Sequence, residues 1–276
     1  MKQILRKTLL YKTGVEYGDY SINHIEGCAH GCRYPCYAML MSKRFGRTNT
    51  YQDWRKPKLV GNAIELLHRE IPRMKDKIRF VHLCFMSDPF MVGYPDVTDM
   101  SLRIIRLLND HGIKVTTLTK GIYPADILHY GTLDQNEYGI SFVSNSASYL
   151  REYEPYSAKW FMRVRSLERL SNQGAKTWVS MEPYPTPNIA DQDINELLER
   201  IGFVDKIVFG RLNYNVRSKE YEGHRDYYND LCSQVVSFCE SHGIEYHLKH
   251  GTDTRVGAAH ICGGVHTPMR SAVRLR

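Results

Sequence analysis

From about residue 75 onward the chain repeats one order of polar and apolar positions. A helical stretch with apolar residues on one face ends in Gly, and a short apolar strand follows at once. Leu102–His111 leads through Gly112 to Ile113–Leu118, and Leu167–Gln173 leads through Gly174 to Ala175–Ser180. Leu231–His242 leads through Gly243 to Ile244–Leu248. Glycine just beyond a helix takes the left-handed conformation that turns the chain back. Helices alternating with strands imply parallel strands joined by crossover helices. The pattern predicts strands near 21–26, 79–85, 113–119, 138–143, 176–181, 206–210 and 244–248. It predicts helices near 37–45, 60–72, 98–111, 122–130, 157–173, 191–201 and 224–242. The run Lys206-Ile-Val-Phe-Gly210 reads as a strand covered on both faces.

This count predicts an α/β fold of six β/α units with a seventh strand. A full eight-unit barrel needs about 250 residues, and the units here start late. A partial (β/α)6 barrel is therefore expected, with an open doubly wound sheet as the alternative. The whole chain, 1–276, reads as a single domain with its core at about 20–248. A polar, tyrosine-rich loop is expected at 211–223 and an irregular tail at 249–276.

Composition narrows the class. Hydrophobic residues make up 42% of the 276 and charged residues 24%, which suits a soluble chain with a full core. There is no apolar run of about 18 residues to span a membrane. The N-terminus lacks the apolar stretch of a signal peptide, so a cytoplasmic protein is expected, and a monomer is expected besides. The formal net charge of +7 permits an anionic partner without requiring one. The end, Arg270-Ser-Ala-Val-Arg-Leu-Arg276, carries three arginines and no acid, as a phosphate-contacting tail or a frayed end would.

Three of the seven cysteines fall in Gly27-Cys-Ala-His-Gly-Cys-Arg-Tyr-Pro-Cys-Tyr-Ala38, after the first expected strand. Two three-residue spacers on a loop let Cys28, Cys32 and Cys36 converge on one inorganic centre. Three thiolates can hold three irons of a cubane and leave the fourth iron open to a ligand. The alternative is zinc, with His30 or a distant residue as fourth ligand, although no second short ligand cluster exists and Cys262 stands alone.

This segment resembles the cluster loop of radical S-adenosylmethionine (SAM) enzymes, in particular the group around spore photoproduct lyase. Members of that group read Gly-Cys-x-His-Gly-Cys-x-Tyr-Cys-Tyr-Ala, and Pro35 lengthens the second spacer here by one residue. The resemblance continues through Ser87-Asp88-Pro89, Thr119-Lys120, Ser141, Glu154-Pro155 with Arg163, and Met181-Glu-Pro-Tyr-Pro185. It implies a [4Fe–4S] cluster on Cys28, Cys32 and Cys36 that reductively cleaves SAM to a 5′-deoxyadenosyl radical. It also implies a flavodoxin- or ferredoxin-like electron donor. For SAM, it points to Asp88 beside Ser87 for the ammonium and Arg163 or Lys120 for the carboxylate. Ser141 and Thr119 would meet the ribose, and Tyr37 would pack on the adenine. Each has a plainer reading: Asp88 as a turn residue, Glu154 as a helix start, Arg163 as a surface ion pair, Ser141 as a strand hydroxyl.

The substrate is less legible. The resemblance suggests a nucleic-acid base or base-linked group. An isomerase or maturase acting on an amino acid or peptide, and a non-catalytic metal-binding protein, are the alternatives. In the lyase group a cysteine shortly before the Ser-Asp pair returns hydrogen to the product. Cys84 stands one residue further away than that, so strand alternation predicts a buried core residue facing away from the site. Tyr214, Tyr221, Tyr227 and Tyr228, among Arg211, Arg217 and Arg225, suit either base stacking or packing at a barrel rim.

Overall fold

The computed structural model describes residues 1–255 and the backbone of 261–263. The arginine-rich end, Arg270–Arg276, and Cys262 as a ligand lie outside what it describes. The strands in chain order are β1 (Gln3–Ile4), β2 (Leu10–Lys12), β3 (Tyr20–Ile22), β4 (Ile25–Glu26), β5 (Lys58–Val60) and β6 (Phe80–Leu83). They continue as β7 (Lys114–Thr119), β8 (Glu137–Ser141), β9 (Lys176–Tyr184), β10 (Lys206–Arg211), β11 (Glu245–Leu248) and β12 (Ile261–Gly263).

The main sheet runs β12-β11-β10-β9-β8-β7-β6-β3-β2. From β3 to β11 every neighbouring pair is parallel, while β2 and β12 pair antiparallel at the two edges. These seven parallel strands coincide with the seven that the apolar pattern predicts. Ile207, Val208 and Phe209 of β10 are fully buried, as a strand covered on both faces requires. Gly112, Gly174 and Gly243 all have positive φ, so each helix-to-strand reversal falls where the sequence puts it.

The sheet is strongly curved. In a flat sheet β6 and β11 would stand roughly 24 Å apart, at about 4.8 Å per strand. Yet the ring of Tyr17 lies 5.9 Å from that of Phe85, just past β6, and 5.9 Å from His247 on β11. Trp178 of β9 also touches Tyr17, at 6.0 Å, and His82 of β6 stacks on Phe85 at 4.0 Å. Aromatic rings thus fill the interior, and the sheet wraps round them as a partial barrel. Glu16 spans the remaining gap, accepting from His247 Nε2 at 3.1 Å and the His250 amide at 3.0 Å.

Three local expectations need correction. The strand expected at 21–26 divides: β3 joins the barrel, while β4 pairs with β5, which pairs with β1, in a separate three-stranded sheet. The cluster loop therefore departs from this small sheet. Glu154 ends the helix Ala147–Tyr153 rather than starting one, and the next helix begins at Trp160. The loop at 211–223 contains a short helix, Val216–Lys219, capped by the Asn215 side chain.

Candidate active site

Residues at or just past the C-terminal ends of the parallel strands meet round one cavity of about 500 Å³. Cys84 and Ser87 follow β6, Thr119 and Lys120 end β7, and Ser141 ends β8. Ser180 and Glu182 come from β9, Arg211 from β10, and Lys249 follows β11. Cys28, Cys32 and Cys36 all line the same cavity, with Tyr37 half exposed beside them.

The loop that carries the cysteines is shaped by close backbone approaches. Gly27 has φ of 88°, and a Cβ there would meet the Trp54 carbonyl at 2.7 Å. Gly31 has φ of 53°, and a Cβ would fall 2.7 Å from the Tyr51 hydroxyl. Neither position tolerates a side chain. The Cys28 amide donates to the Trp54 carbonyl at 2.9 Å, and the Arg33 amide to the Tyr153 carbonyl at 2.8 Å. The loop is thereby stitched to two helices.

Burial pushes all three thiols up, Cys32 to about 12. The other two thiols add to the shift at Cys28, so the three sulfurs sense one another's charge. Such a set becomes thiolate only with a compensating positive centre. Among the described residues no three His, Cys, Asp or Glu side chains are grouped to hold a single metal ion. A tetrahedral zinc needs its sulfurs at about 2.3 Å from one point. Three spaced thiols facing one cavity suit a cubane, whose ligands bind different irons. His30 does not fit as the fourth zinc ligand. Its Nε2 accepts from the Val92 amide at 3.1 Å, and its Nδ1 lies 3.2 Å from Asp88 Oδ2. Both ring nitrogens are engaged.

Asp88 is buried and its two oxygens are occupied by the protein. Oδ1 accepts from the Phe90 amide at 2.9 Å and from Thr119 Oγ1 at 2.6 Å. Oδ2 accepts from the Lys120 amide at 2.7 Å and faces His30. Burial alone would raise this carboxyl, but His30 and these donors outweigh it and hold it below its ordinary value. Asp88 thus ties the cluster loop to the end of β7. The Ser87 hydroxyl donates to the Gly27 carbonyl.

Arg163 is 1% exposed and does not line the cavity, so it is no surface ion pair. It donates to Glu154 Oε2 at 2.6 Å, the Ser141 carbonyl at 3.0 Å, the Ala158 carbonyl at 2.8 Å and the Ser157 hydroxyl. Lys120 Nζ lies 3.0 Å from the other Glu154 oxygen and does line the cavity. Burial opposes charge on Glu154, but the two cations hold its carboxyl down at about 2. Glu154 is the hub of this group, although the sequence signals only a Glu-Pro pair.

On the opposite wall only Glu182 falls in a motif the sequence singles out; nothing in the sequence points to Glu16 or Lys249. Lys249 Nζ lies 3.7 Å from Glu16 and 3.6 Å from Glu182. Burial, reinforced by Glu16, raises the Glu182 carboxyl despite Lys249. Cys84 also departs from expectation. It is 4% exposed and packs in the core, but it borders the cavity as well. Strand alternation fails as a guide here because β6 ends at Leu83.

The Radical SAM superfamily profile matches residues 22–201. The chain belongs to the radical SAM superfamily. Its members are enzymes that use a [4Fe–4S] cluster and SAM and need a reductant. Two solved structures share the fold at 14% identity, each covering 86% of this chain and 78% of the other. One is spore photoproduct lyase complexed with dinucleoside spore photoproduct, at a TM-score of 0.63. The other is a doubly substituted mutant of spore photoproduct lyase with bound AdoMet and the same dinucleoside, at 0.64. No curated protein matches the chain by sequence. Among the described residues no helix is long and apolar enough to cross a membrane.

Proposed function

We propose that Cys28, Cys32 and Cys36 hold the cluster and that the cavity they border receives SAM and a nucleic-acid base or base-linked group. The observation that carries this reading is that three thiols and the ends of the parallel strands face one cavity. Held by these cysteines, a reduced cluster would supply the electron for reductive cleavage of SAM to a 5′-deoxyadenosyl radical, the species that would take hydrogen from the substrate. The chain's own residues position the reactants and exclude water.

In this reading Lys120, held by Glu154 at the cavity wall, meets the SAM carboxylate. Arg163 acts on it only through Glu154 and the Ser141 carbonyl. Asp88 is a positioning residue: it fixes His30 and the β7 terminus rather than receiving the ammonium directly. Ser87 keeps acceptor capacity for that ammonium, Ser141 and Thr119 stand beside the ribose, and Tyr37 packs on the adenine. The chain is read as one domain, served by a flavodoxin- or ferredoxin-like donor.

The test is anaerobic reconstitution with iron and sulfide, then assay of 5′-deoxyadenosine after dithionite reduction, with and without DNA. Replacing all three cysteines by Ala should abolish the brown colour and the absorption near ~400 nm of a thiolate-bound cluster. A triple variant that keeps a full cluster would refute the assignment. Deleting Arg270–Arg276 should reduce the log–log salt slope of DNA binding by about 0.9 for each phosphate that is no longer neutralised. Absence of DNA binding at low salt would remove the nucleic-acid substrate and leave the SAM chemistry standing.

A further inference from the structure

Residues 1–62 hold eleven Lys and Arg against four Asp and Glu, so they carry a net +7. The whole chain also carries +7, so the remaining 214 residues sum to zero. Within 33–58, around and after the cluster loop, seven basic residues face one acid, Asp53. That acid is occupied in a capping box with Thr50, at 3.1 Å each way. Arg33, Arg47, Arg55 and Lys56 form no ion pair among the described residues.

The cluster loop has two faces. Cys28, His30, Cys32, Tyr34, Pro35 and Cys36 line the cavity, whereas Gly31 and Arg33 do not. The side carrying Gly31 is backed by Tyr51, whose hydroxyl donates to the Gly31 carbonyl at 2.6 Å. The Arg55 guanidinium lies 3.4 Å over the ring of half-exposed Tyr156. Arg33 and Lys56 are exposed, and Arg47 borders a second hollow with Gly27 and Trp54. An unpaired basic surface therefore covers the side of the loop turned away from the cavity.

Two things must reach the cluster. A substrate enters through the cavity, so an electron delivered by a protein carrier needs another approach. We propose that the face formed by Arg33, Arg55, Lys56 and Tyr156 docks an acidic electron-carrier protein and that the electron crosses the cluster loop from behind. This rests on the proposed cluster assignment. Charge complementarity selects the partner: a patch whose basic residues far outnumber its single acid, Asp53, steers an acidic protein and repels a basic one. A nucleic acid bound there would not present a base to the cavity, because these side chains lie on the loop's other face. Arg33 directly follows Cys32 in the chain and its side chain is exposed.

The test compares wild type with Arg33→Glu/Lys56→Glu and with the milder Arg33→Gln/Lys56→Gln. Neither side chain lines the cavity. Binding of a flavodoxin is followed by flavin fluorescence anisotropy at low and high salt, which needs no turnover. SAM cleavage is then driven either by reduced flavodoxin or by dithionite. The charge-reversed pair should weaken flavodoxin binding and slow flavodoxin-driven cleavage by on the order of 10-fold or more at low salt. The neutral pair should fall between, and salt should erase the difference. Dithionite-driven cleavage should stay at the wild-type level. Unchanged flavodoxin affinity in the charge-reversed pair overturns the docking face. So does loss of affinity for a labelled DNA strand with flavodoxin-driven cleavage intact, which would assign the patch to nucleic acid. If wild type fails to cleave SAM even with dithionite, the cluster assignment fails, and the anisotropy arm still decides the docking face.

Discussion

The two walls of the cavity hold their charges in opposite ways. On the β7–β8 side, Glu154 is sealed between Arg163 at 2.6 Å and Lys120 at 3.0 Å, with side chains at most 13% exposed. On the β9–β11 side, Lys249 stands 3.6–3.7 Å from Glu182 and Glu16, with all three about one-fifth exposed. In the first group both Glu154 oxygens meet a cation at 3.0 Å or less. The second has two carboxylates sharing one cation at longer range, which leaves capacity for another donor. A cofactor of fixed shape suits a pre-organised wall, because ordering is complete before it binds. A wall with spare acceptors suits the partner that varies, the substrate. On the proposed reading, the contrast puts SAM against the Glu154 side and the molecule that reacts with it against the Glu182 side.

The largest effect should come from breaking the sealed wall. Glu154→Gln leaves Arg163 and Lys120 buried without a counter-charge and should cost about 3–5 kcal/mol in urea denaturation at pH 7. The pH sign follows from the lowered carboxyl. Its contribution is full above the ordinary value of 4.5 and disappears as pH falls toward about 2. A shift of that size corresponds to something on the order of 3 kcal/mol. The gap between wild type and variant should therefore close on acidification. A gap that stays constant from pH 7 to pH 3 would mean that Glu154 acts by packing alone.

Asp88→Asn should come next. Four donors converge on the carboxylate, and an amide nitrogen cannot accept from them. A loss of about 1–3 kcal/mol is expected, with weaker retention of the cluster because His30 is released. If the variant keeps its cluster and loses only SAM affinity, Asp88 contacts SAM and is no mere tie between loop and strand.

How far these walls can be read in advance depends on sequence distance. Three of the seven parallel strands, β7, β9 and β11, are legible because each follows at once a glycine that ends a helix, and the others show only as short apolar runs. The cysteines are legible because three sulfurs in nine residues have few other uses. The split of the first strand at Asn23-His24 is not, since both halves are apolar and only their partners differ. Glu154 reads locally as a helix start because Pro155 follows it, a rule that burial between two cations overrides. Glu16 and His247 are invisible: their contact joins residues 231 apart, and nothing local marks either one.

Glu182→Gln should have the smallest effect on stability, and it tests the open wall directly. Burial raises this carboxyl, Glu16 adds to the shift, and Lys249 only partly offsets it. A raised carboxyl favours folding while it is protonated, and that contribution is lost as pH rises through its folded value. Above that value the ionised group weighs against the fold. Removing the charge should therefore change stability by less than about 1 kcal/mol at pH 7, since partly exposed pairs at this range contribute little. The variant should compare better with wild type at pH 8 than at pH 4. The substrate should notice more than the fold does. If Glu182 accepts from the substrate, the variant needs more substrate for half-maximal turnover, while SAM cleavage without substrate continues unchanged. Equal loss in both assays would place Glu182 in the SAM site. Destabilisation as large as that of Glu154→Gln would show that the two walls are built alike, and the assignment of one to cofactor and the other to substrate would fall.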